Sequence, residues 1–403
     1  MHVHEIRRCF PALTRIHNGL PVAYFDGPGG TQVPQVVADA MADYLFQHNA
    51  NTHWAYPTSE ETDAIIAGAR KAAAGFMNAR ADEISFGANM TTITFHLARA
   101  LGRTWKKGDE VIVTDLDHHA NVATWRALEI DRGIVVRAAR MIRETCQIDM
   151  DHLARLAGPK TRLIAIGGAS NAVGTINDLA TVRKIAKSVG ALFFVDAVHL
   201  APHEPIDVQA IDCDFLSVSA YKFYGPHIGI LFARKDLLES LPFPKLDPAP
   251  DSAPERAETG TQNQEGIAGV TAAVQFMTSL GVGAAVPGGP AGEDARRHTS
   301  LLWNGLKSIK RVRVYGVPPS EPRTPTFAFT VDGKTSEEVA RALAKRAIFA
   351  SHGDFYAATV VRTLGVEGLV RAGCAAYTTG EEIERLLAAV DEVSSGNGGR
   401  NRK

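Results

Sequence analysis

The chain has 403 residues, of which 45% are hydrophobic, 22% charged and 7% aromatic, so there is enough apolar material for a sizeable core. At roughly 100–200 residues per domain, this length predicts two domains. The 43 Lys+Arg against 44 Asp+Glu leave a formal charge of -1, which excludes a global basic field for gathering nucleic acid or an acidic membrane surface. Cys9, Cys146, Cys213 and Cys374 are scattered without CxxC pairs, so neither a disulfide framework nor a zinc knuckle is expected. A reducing compartment fits that usage. The N-terminus has no apolar signal region, and no stretch of about 18 uncharged apolar residues occurs, so the expected location is cytoplasmic.

Along the chain, Pro34–Gln47 and Glu60–Phe76 have helical spacing. A short strand at Glu83–Phe86, a helix at Thr91–Leu101, a strand at Glu110–Thr114 and a helix at Ala120–Arg132 follow. Ile134–Ala138, Leu163–Gly167, Leu192–Asp196 and Phe215–Ser219 are further strand-like runs, with a helix at Ala180–Gly190. β-Branched runs separated by helical segments predict crossovers and a mainly parallel sheet buried on both faces. Ligands of such sheets sit at the carboxyl ends of the strands. Gly281–Gly292 is Gly/Pro/Ala-rich and reads as a connection. Beyond it, a helix at Arg296–Ser308, a strand at Pro325–Val331, a helix at Glu337–Arg346, a strand at Gly368–Ala375 and a helix at Glu381–Ser394 form a smaller α+β unit. The expected organisation is an N-terminal segment (1–20) packing on the small domain, a large domain (21–280), a small C-terminal domain (281–394) and a disordered tail (395–403).

Chemistry-bearing residues fall at the predicted strand ends. Lys222, in Ser219-Ala220-Tyr221-Lys222-Phe223-Tyr224-Gly225-Pro226, sits where desolvation lowers a lysine pKa, as Schiff-base chemistry requires; a plain surface loop also accounts for a lysine there. Asp196 ends the apolar strand Leu192–Asp196 and suits either a helix cap or the partner of a protonated pyridinium nitrogen. His118, in Asp117-His118-His119-Ala120-Asn121, is a candidate for stacking on a flat cofactor and moving protons. Asn171 closes another strand end. Asn89-Met90-Thr91-Thr92 supplies hydroxyls and free amides at a helix start, an anion site or ordinary capping.

In this order, YFDGPGG, NMTT, DHHAN, SNAVGT, VDAVH, SAYKFYGP, ETGTQN and LVRAGCAAYTT resemble the cysteine desulfurase-like branch of the class V aminotransferases, which are pyridoxal 5′-phosphate (PLP) enzymes of fold type I. The resemblance runs from about Tyr24 to Leu387. It implies an α/β fold with a large domain carrying a mainly parallel seven-stranded-type sheet and a smaller α+β C-terminal domain. It also implies that Lys222 forms the Schiff base and shuttles the α-proton, Asp196 faces the pyridine nitrogen and His118 stacks over the ring. Asn171 would lie near the cofactor O3′ and the substrate; Thr91, Thr92 and Ser219 would cradle the phosphate. Thr261 would reach the phosphate of a neighbouring subunit, which implies a homodimer. Arg371 would grip the substrate α-carboxylate with its planar fork.

The sequence departs from that pattern at three places. Ile348–Ala358 corresponds to the loop where desulfurases hold their catalytic cysteine, yet it contains none. Cys374 lies three residues past Arg371 in a strand, so it faces the opposite side and reads as core. His199 stands where desulfurases usually have glutamine, as in relatives similar to isopenicillin epimerase; Tyr221 stands where many have histidine, and its phenol can still donate to phosphate. The leading expectation is a lyase acting on a small amino acid by β-elimination or desulfination without a persulfide cysteine. Transamination or epimerisation is the alternative within the same scaffold, with His118, His352, Asp354 and Tyr356 as candidate proton donors. A metal hydrolase built on His118, His119, His199 and His203 is disfavoured by Pro202, which keeps HxxxH off a regular helix. A non-catalytic scaffold would have no reason to keep Lys222, Asp196 and Arg371 together.

Overall fold

The computed structural model describes residues 2–281 and 290–395, with 290–295 as backbone only; the expected connection over 282–289 and the tail beyond Ser395 lie outside the described residues. Seven strands form the main sheet: β1 (Ile84–Gly87), β2 (Glu110–Thr114), β3 (Val135–Ala139), β4 (Thr161–Gly167), β5 (Leu192–Asp196), β6 (Phe215–Ser219) and β7 (Gly229–Ala233), in the order β1-β7-β6-β5-β4-β2-β3. β6, β5, β4, β2 and β3 pair in parallel, and β7 runs antiparallel to both its neighbours. β2, β6 and β7 are buried along their whole length, as strands covered on both faces must be.

Crossover helices have readable ends. Asn89 caps Met90–Gly102 by accepting from the Thr92 amide, and Asp178 caps Leu179–Val189 in the same way. Gly133 (φ +67°) and Gly190 (φ +70°) end their helices in the left-handed region, which costs glycine little. The parallel arrangement puts the carboxyl ends of β2, β4, β5 and β6 along one edge, and the chemistry-bearing segments leave from that edge.

A second sheet of four strands, β8 (Val312–Tyr315), β9 (Thr326–Val331), β10 (Ser351–Gly353) and β11 (Leu369–Gly373), has the order β8-β9-β11-β10 and is antiparallel throughout. Its apolar face packs on the helices Ser336–Ala344 and Gly380–Ser394 through Phe327, Phe329, Val339, Leu343, Ile383 and Leu386. Ala23–Tyr24 pairs in parallel with Ile348–Phe349, tying the start of the chain to this unit. The N-terminal helix Val3–Arg8 is fastened there too, because Arg7 pairs with Glu382 at 3.0 Å.

Two elements of the main body, β7 and the helix Gln264–Ser279, have no counterpart in the elements expected from the sequence. Likewise β8 and the short β10 were not expected. The helix expected at Ala120–Arg132 opens with a separate turn, His119–Asn121, before the α-helix Ala123–Arg132. The turn swings the His118 side chain towards the strand edge.

Candidate active site

Lys222 lies in the short turn Ala220–Lys222 directly after β6. Its Nζ donates to the Pro28 carbonyl at 2.5 Å and sits 5.1 Å from the centroid of the Tyr221 ring. Burial pushes its pKa down to about 7, helped by the Arg371 charge and opposed by Asp196. A lysine in that state is an amine nucleophile near neutral pH.

Asp196, at the end of β5, is 7% exposed and accepts the Val198 amide at 3.0 Å. Burial raises its carboxyl pKa to about 6, against the lowering by that amide and by Lys222. His118 accepts the Ala120 amide at Nδ1 (3.0 Å), so in the neutral ring the proton resides on Nε2. Burial, Lys222 and Arg371 together lower its pKa to about 4, which keeps the imidazole neutral at pH 7.

Arg371, on β11, reaches across from the second sheet. It is 4% exposed, its Nη1 donates to the Asn171 carbonyl at 2.8 Å, and its guanidinium carbon stands 4.2 Å from the Phe355 ring centroid. Burial lowers its pKa to about 9, with Asp26 acting in the opposite direction. Among the described residues, three buried polar atoms here have no hydrogen-bond partner: Arg371 Nε, Asn171 Oδ1 and Asp26 Oδ1. Such orphans are uncommon in a folded interior and mark a place prepared for a polar ligand.

The helix start at Met90 is aimed at the same edge, since the Met90 amide donates to Ser219 Oγ at 3.0 Å. Thr91 and Thr92 are exposed on the first turn, and the Thr92 hydroxyl points back to Asn89 Oδ1 at 3.1 Å, so this hydroxyl takes part in the capping. Tyr221 is half-buried and stacks on His227 at 4.9 Å with the rings 15° apart.

His199 is 4% exposed, and its Nε2 lies 3.0 Å from Thr326 Oγ1 and 3.3 Å from Thr324 Oγ1. It also meets His203 edge-on at 5.7 Å. No group of three or more His, Cys, Asp or Glu side chains converges in metal-ligand fashion among the described residues.

Thr261 is exposed and makes no side-chain hydrogen bond among the described residues. The root of its loop is fixed, because Glu258 takes a two-pronged pair from Arg70 (2.7 and 2.9 Å) and the Phe86 amide at 2.7 Å. Both side chains are about nine-tenths buried. Glu258→Ala leaves Arg70 buried and unpaired, so we expect a loss of about 3 kcal/mol, read as a lower urea midpoint.

Three residues at the site were not singled out in the sequence. Asp117 accepts the Gly167 amide at 2.5 Å and the Thr114 amide at 3.1 Å, lacing the ends of β2 and β4 together beside His118. Asp26 lies close enough to Arg371 for each charge to shift the other's pKa. Phe355 covers the Arg371 face. Asp117 and Asp26 stand inside quoted motifs, where position beside His118 and in YFDGPGG was a usable signal; Phe355 offered none, because a lone aromatic in a loop carries no spacing.

The stretch Ile348–Ala358 spans the short strands Ile348–Phe349 and Ser351–Gly353 and the turn after them, and holds no cysteine. Cys146, Cys213 and Cys374 are buried, and burial pushes all three thiols up, Cys374 to about 12. Cys374 packs in the apolar cluster with Phe25 and Phe327.

Comparison with known proteins shows the family and the fold. The family model described as aminotransferase class-V matches residues 23–386. A cysteine desulfurase of Pectobacterium carotovorum subsp. carotovorum (strain PC1) is 32% identical over 410 residues, spanning 97% of this chain and 98% of the relative. The apo structure of a cysteine desulfurase from Thermococcus onnurineus NA1 matches with a TM-score of 0.90 at 27% identity, covering 98% of both chains. A cysteine desulfurase of Escherichia coli in an S-sulfonic acid form gives 0.86 at 27% identity, over 98% of this chain and 99% of that one.

Proposed function

The chain belongs to the aminotransferase class-V family, and from that membership we propose that it acts on a small amino acid by β-elimination or desulfination without a persulfide-forming cysteine. Members of this family depend on PLP, which when bound supplies an electron sink beside the substrate Cα. The observation that carries the reading is the convergence of Lys222, Asp196, His118 and Arg371 around three unpartnered buried atoms, with no cysteine in the loop that closes over them.

In this reading Lys222 Nζ would hold the cofactor and then carry the α-proton. Asp196 would face the ring nitrogen, and neutral His118 would stack on the ring. Asn171 would lie near O3′ and the substrate. Ser219, Tyr221, Thr91, Thr92 and the amides at the start of Met90–Gly102 would hold the phosphate, with Thr261 of a second copy completing the cradle in a homodimer. Arg371 would hold the carboxylate. His199, near the Thr324 and Thr326 hydroxyls, would stand beside the cofactor. In desulfination the Cβ–S bond breaks with its electron pair left on carbon, which takes up a proton to give alanine, while the sulfur departs as sulfur dioxide and hydrates to sulfite; this needs a base at Cα and no thiolate, which matches the groups present. No helix among the described residues is long and apolar enough to cross a membrane; a cytoplasmic location remains part of the same proposal.

The test is a product panel. Holoenzyme is incubated with cysteine, cysteine sulfinate, selenocysteine and alanine, and sulfide, sulfite, selenide, oxoacid, alanine and inverted amino acid are separated. Release of sulfite or selenide with no added thiol supports the reading; oxoacid or inverted amino acid alone replaces it with transamination or epimerisation. A pH test addresses the lysine: the rate of imine formation between apoprotein and PLP is expected to rise through a midpoint near pH 7, where Lys222 loses its proton, and not near 10.5. Stopped-flow absorption between pH 5.5 and 9 reads it.

A further inference from the structure

The turn that follows β10 has a conformation that needs an explanation. Phe355 and Tyr356 both have left-handed backbones, with φ +56° and +57°. Two consecutive non-glycine residues in that region are strained and persist only where the surroundings hold them. Here they are held from several sides. The Asn171 Nδ2 donates to the Phe355 carbonyl at 2.9 Å, and the His119 amide donates to the Tyr356 carbonyl at 2.7 Å. Asp354 accepts the Tyr356 amide at its side chain (3.0 Å) and the Ala357 amide at its carbonyl (2.7 Å).

This clamping sets the half-buried Phe355 ring beneath the Arg371 guanidinium carbon, 4.2 Å from centroid to Cζ. Arg371 in turn donates from Nη1 to the Asn171 carbonyl. Arg371, Asn171 and Phe355 thus form a closed triangle spanning β11, the loop after β4 and the turn after β10. A ring held against a guanidinium limits its rotation and takes no N–H bond from it in its plane, so those N–H groups remain for a ligand. Nη1 is committed, while Nε is buried with no partner among the described residues. The edge left for two parallel bonds to a carboxylate is therefore the one formed by Nε and Nη2.

We infer that Phe355 is a positioning residue for substrate: its strained turn sets the plane of Arg371, so that the Nε–Nη2 edge meets the substrate carboxylate in line. The inference rests on the proposed role of Arg371. It departs from the usual expectation for this loop in one respect, since the turn acts here through a ring on the carboxylate-binding arginine and contributes no nucleophile.

The experiment uses the holoenzyme and L-alanine as probe, with the dissociation constant read from the change in the visible absorption of the cofactor. Phe355→Ala is expected to weaken L-alanine binding by about 10-fold, as the loss of one desolvated cation–π contact implies. Phe355→Tyr is expected to stay within about 2-fold of the unaltered protein, since it keeps the ring. Phe355→Gly controls for folding, because glycine adopts the positive φ without strain; it should weaken binding as much as alanine while keeping the thermal midpoint. Unchanged L-alanine binding in Phe355→Ala and Phe355→Gly, with Arg371→Lys impaired, overturns the inference and leaves the proposed function standing. L-alanine binding that is absent, or indifferent to Arg371→Lys, overturns the role of Arg371 and this inference with it.

Discussion

Lys222→Ala is expected to abolish covalent attachment of PLP and to lower turnover by about 10⁴-fold, the upper range for removing a positioned proton-transfer group that is also the attachment point. Borohydride reduction followed by mass measurement reads the first effect: the unaltered protein retains the cofactor mass, and the variant does not. Retention by Lys222→Ala would place the attachment on another lysine. The same residue has a cost in stability. Its pKa falls from 10.5 in the unfolded chain to about 7 in the folded one, so between these values the unfolded chain holds more protons and stability rises with pH. The penalty is fully present below pH 7 and gone above 10.5. Lys222→Met keeps the apolar stem and removes the charge, so the apoprotein of this variant is expected to be more stable at pH 7 by about 1–2 kcal/mol, discounted for a side chain that is only half-buried. Urea unfolding of the two apoproteins at pH 7 and pH 10 checks the sign, because the gap must narrow at the higher pH.

The parallel core was legible because its strands are short apolar runs set between helical segments, and Lys222, Asp196, His118 and Asn171 were legible because each ends or follows such a run. β7 was less so. Gly229–Ala233 follows Lys222 after only a few residues and carries no helix before it, so the rule that alternates strand with crossover passes over it; an antiparallel return needs no crossover. Arg371 was legible through its motif, whereas its surroundings were not. Asn171, Phe355 and Arg371 lie on segments separated by 184 and 200 positions in the paired bonds they make, and nothing local to any of them signals the others. The left-handed pair at Phe355 and Tyr356 was hidden for a related reason: neither residue type favours that conformation, and among the bonds that hold it those from Asn171 and His119 come from distant segments. Thr92 shows the converse, where a hydroxyl read as an anion donor also serves as part of its own helix cap.

Arg371→Leu carries the second large effect. Removing a charged fork from a buried carboxylate site loses two charge-assisted bonds at roughly 1.5–3 kcal/mol each, so substrate affinity is expected to fall by about 100-fold or more while PLP still loads. The substitution should also move Lys222. After burial, the Arg371 charge is the next cause of the low Lys222 pKa, as two cations held in one water-poor pocket each disfavour the other's protonation. With leucine in place, the pH midpoint for imine formation in the apoprotein is expected to rise above 7, and stopped-flow absorption reads the shift without any turnover. Arg371 is itself destabilising when unliganded: its pKa is lowered from 12.5 to about 9, so its penalty is complete below pH 9, and the Arg371→Leu apoprotein should unfold at higher urea at pH 7. A substrate carboxylate reverses both effects in the native protein by supplying the missing counter-charge. Binding should therefore raise the proton affinity of Lys222 at the step when that amine must take the α-proton.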